Sequence, residues 1–309
     1  EKIELEIEQV KFFKQYAILK FKGIDDINDI EKYKKMSIYV TRENAVKLKK
    51  DEYFIADLIG LKVINEDETP ISVNGKIMST IGVFTPKLSL MEAFENRKLE
   101  SFQEMGILDR YIGTVCHDHN NIHQSFIQSK QAECNFHILR YCKAEYEVHK
   151  RECIKDFMNY LLELRDKVDI NKSQGKKSFS ELEYKEAKKK YLELLDVWDK
   201  EFKKEYNADK SQYYDSERCL KSRLREYVDD HLRFLTDFRI DFTNNLAERG
   251  LRKIKTKLKI AGGFRNLKFA RFYCDAISII DTCKKQNMSI FETIKNIFMG
   301  KKKIFNFVY

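Results

Sequence analysis

LIGLKVINEDETPISVNGKIMSTIGVF, residues 58–84, is the stretch on which the fold turns. It opens on an apolar run from Leu58 to Ile64 and passes through acids around Asp67. It then resumes as Ile71-Ser72-Val73 before Asn74-Gly75. Both residues of an Asn-Gly pair tolerate positive φ, so such a pair between apolar runs is a strong hairpin signal. The stretch predicts a strand, a tight turn and a returning strand, with Asp67 on or just after the first strand.

Upstream, residues 1–22 alternate apolar and polar at Ile3, Leu5 and Ile7 and again at Ala17, Leu19 and Phe21, which predicts two strands. Residues 24–50 are charged without a clear period and read as a connector or short helices. Downstream, a helix is expected around Ser89–Met105. YIGTVCHD (111–118) reads as a short apolar strand ending in Asp118. Residues 129–165 carry apolar positions at spacings of three and four and predict helix, as do the charged residues 181–237 with Leu192, Leu195, Trp198 and Phe202. Between them, residues 168–180 are a polar break containing Gly175.

In DFTNNLAERGLRKIKTKLKIAGGFR (241–265), Asn244 and Asn245 precede a helix that Gly262-Gly263 ends. A further helix spans about Leu267 to Lys285, and Ser289 with Glu292 forms a capping-box pattern for the last one. Pro70 and Pro86, the only prolines, lie in the first third, so little interrupts helices beyond them.

The chain has 309 residues, 43% of them hydrophobic, which suffices for a buried core. Charged residues make up 35% and the net charge is +9, which suits an anionic partner such as nucleic acid, or simply a Lys-rich surface. Seven cysteines without paired spacing, and no leader ahead of them, fit a reduced cytoplasmic compartment. No apolar run reaches the roughly 18 residues of a membrane span. A chain starting at Glu1 rather than Met is expected to continue upstream.

Asp67, Asp118 and Glu248 come from separate elements, two of them near strand ends. Two-metal phosphoryl transfer needs carboxylates that converge in this way, and hard oxygen ligands suit Mg²⁺ or Mn²⁺. Each acid also has a purely structural reading. Asp67 could be a turn acid before Pro70, and Asp118 a strand-end acid. Glu248 could be the capping-box partner of a helix capped by Asn245.

Four motifs, in order, carry a family resemblance: EDETPISVNGK (66–76), EMGILDRYIGTVCHDH (104–119), AECNFHILRY (132–141) and FTNNLAERGLRKIKTKLKIAGGFRN (242–266). Together with KFARFYCDAISIIDTCKKQNMSIFETI they resemble the catalytic domain of insertion-sequence-66 type transposases, over about residues 60–168 and 235–297. The resemblance implies an α/β, RNase-H-like mixed sheet with flanking helices and a large helical insertion before the catalytic glutamate. It implies a DDE transposase that nicks DNA strands and transfers them, using two Mg²⁺ (or Mn²⁺) ions held by Asp67, Asp118 and Glu248. Double-stranded DNA, both transposon ends and target, would be its partner. The protein would form a homo-oligomer on DNA, without a membrane, in the cytoplasm at the nucleoid.

The resemblance divides the chain into upstream strands and connector (1–57), the catalytic domain (58–297, with the insertion at 129–237) and a basic, aromatic tail (298–309). Family members are longer and carry an upstream DNA-binding region with a cysteine-bearing zinc element. Residues 1–22 resemble the strands near that element, but no cysteine precedes Cys116. Residues 1–57 therefore read as a truncated or degenerate upstream region.

VCHDHNNIH (115–123) raises a zinc question of its own. Cys134 and His137, spaced Cys-x-x-His, could bind Zn²⁺ with His117, His119 or His123, because structural zinc takes four N/S ligands. The pair could equally pack beside the active site. Arg249, Arg252 and Lys253 share part of one helical face after Glu248. With Lys255 and, beyond the Gly-Gly turn, Arg265, they are candidate DNA phosphate contacts. Two rival readings remain: a catalytically inactive DNA-binding remnant, and a zinc-stabilised helical interaction module.

Overall fold

The computed structural model describes residues 5–13, 16–33, 62–208 and 214–300. The chain divides into two compact units, Glu1–Asp51 and Glu52–Tyr309. In the first, β1 (Ile7–Phe13) and β2 (Tyr16–Phe21) pair antiparallel, from Ile7↔Phe21 to Phe13↔Tyr16. Two strands are expected within residues 1–22 and two form, but the first starts only at Ile7, the last of its three alternating positions, and Ile3 lies outside the described residues. The expected features between residues 34 and 61, including the start of the apolar run at Leu58, and those at 301–309 lie outside the described residues.

The second unit is built on a five-stranded sheet: β3 (Val63–Val73), β4 (Lys76–Phe84), β5 (Ser89–Phe94), β6 (Thr114–His117) and β7 (Lys130–Glu133). The strand order is β5-β4-β3-β6-β7. The β3–β4 and β4–β5 pairs are antiparallel, while β3–β6 and β6–β7 are parallel. The β3–β4 turn is the expected two-residue hairpin: Val73 pairs Lys76, with Asn74 at φ 48° and Gly75 at φ 76°. Both central residues need positive φ in such a turn. Pro70 lies beyond the last β3–β6 pair, Asn65↔Cys116, so it can occupy a central strand there.

Two stretches expected to be helical are partly strands. In Ser89–Met105 only α1 (Leu99–Met105) is helical, and Ser89–Phe94 is β5. A run such as Leu-Met-Glu-Ala-Phe satisfies either period, and cover on both sides decides it. Met91 and Ala93 pack into one cluster while Leu90 and Phe94 face another. In 129–165, Lys130–Glu133 joins the sheet edge beside β6. The rest divides into α2 (Asn135–His149) and α3 (Glu152–Ser173) at Lys150, which adopts φ 53°.

α3, α4 (Glu181–Ala208) and α5 (Asp215–Glu226) form the helical part between the sheet and the last helices. Phe157, Tyr191, Trp198 and Leu224 are fully buried among them. Burying Glu217 in this core is tolerable because it is paired: it accepts from the Trp198 indole at 2.5 Å and from Arg151 Nε at 2.9 Å.

α1 covers one sheet face through Phe102 and Met105. α6 (Asn245–Ala261) and α7 (Leu267–Lys285) cover the other through Leu251, Ile254, Ala270 and Cys274. α6 lies unusually close to the sheet. A Cβ on Gly250 would stand 2.1 Å from the Phe84 ring, and one on Gly82 2.5 Å from it, so glycine at both positions makes room for that ring. α7 also blunts the open edge of β5. The Ser89 and Met91 amides donate to the Thr282 and Ser278 hydroxyls at 3.1 and 2.8 Å. α8 (Ile290–Phe298) starts as predicted, with Ser289 Oγ accepting from the Glu292 amide at 3.3 Å. No helix among the described residues is long and apolar enough to cross a membrane.

Candidate active site

Parallel pairing of β3 and β6 aligns the first two acids. The last pair is Asn65↔Cys116; two residues on, at the period of a strand face, come Asp67 and Asp118. Asp67 pairs with Gly82, whose missing side chain would meet Leu251 of α6, so this face lies under α6. Asp67 is 8% exposed, and its Oδ1 accepts from the Glu68 amide at 2.9 Å. Burial first, and then the negative charges of Asp118, Glu66 and Glu68, push the Asp67 carboxyl up to about 8.

α6 supplies the third acid, and its start is tied to β3 by one residue. Asn244 is fully buried, and its Nδ2 donates to the Glu66 carbonyl at 2.6 Å. Its Oδ1 accepts from Asn65 Nδ2 at 2.9 Å, and its amide donates to Cys134 Sγ at 3.2 Å. Asn244 is the N-cap, yet its side chain makes no capping bond, because it is spent on the strand. Glu248 is therefore not a capping-box partner. It stands one turn into the helix, and its Oε1 is buried with no hydrogen-bond partner.

Ligand atoms of Asp118, Cys134, His137 and Glu248 all lie within 4.8 Å of one another. Cys134 and His137 reach this point from the start of α2, which follows β7 directly. His137 Nδ1 lies 3.0 Å from Asp118 Oδ1, without the alignment of a hydrogen bond. Asp118, and then Cys134, push the His137 imidazole up to about 10 against the opposing effect of burial. The Asp118 carboxylate thus favours the protonated ring, which must lose that proton before it can ligate a metal.

The expected zinc partners of Cys134 and His137 are elsewhere. Strand alternation turns His117 to the opposite sheet face, where it stacks on His123 with centroids 3.8 Å apart. His119 Nδ1 lies 2.8 Å from Glu133 Oε1. Cys134 and His137 meet the carboxylates of Asp118 and Glu248 instead. Two carboxylates with unpartnered, buried oxygens at Asp118 Oδ1 and Glu248 Oε1 suit a divalent cation. The neighbouring thiol and imidazole add softer donors to the same point.

Arg249, Arg252, Lys255 and Arg265 are exposed and form no ion pair among the described residues. Lys253 differs from them: its Nζ is bound to Asp281 of α7, so the helix face expected to meet DNA loses one of its charges to packing. Asn65 and Asn244, which set the position of Glu248, were not among the candidates. The Asn-Asn pair before α6 was visible only as a helix-start signal.

Comparison with known proteins gives two kinships in succession. The model of the transposase IS66 family matches residues 49–272. The RimM N-terminal domain model matches residues 1–45, so these residues have a relationship separate from that of the transposase region. Ribosome maturation factor RimM of Ruminiclostridium cellulolyticum is 53% identical over 62 residues, 20% of this chain and 37% of its own length. RimM of Acetivibrio thermocellus is 44% identical over 77 residues, 25% of this chain and 44% of its own. The chain thus spans less than half the length of these curated relatives. No solved structure matches. With the family model spanning most of its length, from residue 49 to residue 272, the chain belongs to the transposase IS66 family.

Proposed function

We propose that the chain from about residue 58 to residue 297 is a DDE transposase catalytic domain of the RNase-H-like kind, which nicks DNA and joins the exposed 3′-hydroxyl to target DNA. The observation that carries this reading is the approach of Glu248, from a helix, to Asp118, at the end of β6, within 4.8 Å. Asp67 occupies the corresponding place on the adjacent parallel strand. The strand order β5-β4-β3-β6-β7, with only β4 running opposite to the other four strands, supports the fold assignment.

In this reading Asp67, Asp118 and Glu248 would hold two Mg²⁺ or Mn²⁺ ions, which when bound would activate the attacking oxygen and steady the leaving one. The chain's own residues prepare the site. Asn244 holds the start of α6 against β3, which sets where Glu248 stands. The His137 ring lies beside Asp118, with Nδ1 3.0 Å from Oδ1. Arg249, Arg252, Lys255 and Arg265 would bind the phosphates of double-stranded DNA, with a homo-oligomer assembling on it in the cytoplasm, at the nucleoid.

A second reading draws on the same four-residue cluster: Cys134 and His137 make it a zinc centre. The test is a strand-transfer assay with Mg²⁺ comparing the native chain with Asp118→Asn. Activity lost in the variant supports the catalytic reading. Absence of activity in both, with duplex binding retained, leaves a DNA-binding remnant. Zinc copurifying with the native chain and lost from Cys134→Ser supports the zinc centre.

A further inference from the structure

Glu66 and Glu68 flank Asp67 on β3, so alternation turns both to the sheet face away from α6. There they meet His123, from the 3₁₀ turn Asn121–Ser125 that follows β6. Ligand atoms of these three residues lie within 4.8 Å of one another. The site is deep: Glu66 is 0% and His123 1% exposed. Neither Glu66 oxygen and neither His123 ring nitrogen has a hydrogen-bond partner. His123 Nε2 and Glu66 Oε2 lie 2.9 Å apart, but they are not aligned as donor and acceptor.

We propose that Glu66, Glu68 and His123 form a second metal site, on the sheet face opposite Asp67, that takes one Zn²⁺-class dication. One imidazole with two carboxylates is a zinc-type donor set. Bonds of about 2.0–2.2 Å at tetrahedral angles place donors about 3.4 Å apart, so the three ligand atoms need to close in by at most about 1.4 Å around the ion. Burying one carboxylate with a second nearby is costly unless a cation or partner compensates it. A neutral imidazole is the form that ligates a metal.

The surroundings hold the three donors in place. Asn120 Nδ2 donates to Glu68 Oε1 at 2.8 Å, and the Asn120 side chain also caps the turn that carries His123 by accepting from the Ile122 amide at 3.1 Å. Arg97 Nη1 lies 3.3 Å from the same Glu68 oxygen. The His117 ring stacks on His123, and Phe102 meets it edge-on at 6.0 Å. Such outer partners orient metal ligands. The bound cation would brace β3 directly behind the candidate catalytic Asp67. The site stands whether or not the chain transfers DNA strands, because its test does not read activity.

Zinc binding is measured on the full chain carrying Asp118→Asn, Cys134→Ser and Glu248→Gln, which disables the cluster beneath α6. That variant should bind a single zinc with an X-ray absorption spectrum showing nitrogen and oxygen neighbours and no sulfur. Adding Glu68→Gln, at a part-exposed position that should still fold, should weaken binding roughly tenfold or more. In the wild-type chain, saturating Zn²⁺ should shift the His123 imidazole nitrogen resonances. The proposal is overturned if the variant binds no zinc, if Glu68→Gln leaves affinity unchanged, or if His123 does not respond.

Discussion

Gly250→Ala tests how the third acid is positioned. In a free helix this change would stabilise by about 1 kcal/mol. Here the new methyl would stand 2.1 Å from Phe84 Cε1 and 2.5 Å from its Cζ. An ordinary carbon contact is about 3.5 Å, so one side must yield by roughly 1.4 Å. The ring is fully buried and already lies against Gly82 on its other side, so it has nowhere to go. α6 must therefore lift, and it takes Glu248 with it. Overpacking of this kind costs about 1–3 kcal/mol, more than the helix gains. We expect a net loss of up to about 2 kcal/mol in urea denaturation. A shift of about 1 Å at a reacting centre can cost about 10²-fold, so Mg²⁺-dependent strand transfer should fall far more than stability does. Adding Phe84→Leu, which removes part of the ring, should recover activity. A Gly250→Ala chain that is more stable and fully active would refute both the close approach and its role.

Asn244→Ala leaves the Asn65 amide and the Glu66 carbonyl unpaired in the core and should cost about 1–3 kcal/mol in the same urea experiment. Replacing Arg249, Arg252 or Lys255 by Gln should lower the salt slope of duplex binding by about one for each phosphate that is no longer neutralised. Lys253→Gln should leave that slope alone and reduce stability instead, since Lys253 is committed to Asp281. Lys285 donates to the Thr85 and Leu88 carbonyls at 2.9 Å each, and burial pushes its ammonium down to about 8. Between about pH 8 and the ordinary lysine value of about 10.4, the unfolded chain binds more protons than the folded one, so stability should rise through that window. Lys285→Met should flatten this rise in denaturation measured at both ends of the window.

Much of this protein was legible in local chemistry. Asn74-Gly75 specifies a turn because its backbone preferences belong to those two residues alone, and the turn forms as expected. The helix start after Asn244, its stop at Gly262 and the Ser289 cap are likewise local. The strand character of Ser89–Phe94 and Lys130–Glu133 was not legible, because short apolar runs take the structure of whatever they pair with.

The candidate site divides in the same way. The residues Asp67, Asp118, Glu248, Cys134 and His137 could be named from motifs, but which of them meet depends on sheet register and on the face each side chain takes. A parallel pairing one residue out of register would turn Asp118 to the face where His117 now stacks. The turns, the caps and the family follow from residues close together along the chain. Folding in three dimensions is what brings Cys134 and His137 to Asp118 and Glu248, His123 to Glu66 and Glu68, and Lys253 to α7. Such meetings arise from long-range pairing and packing, and no local window of the chain contains them.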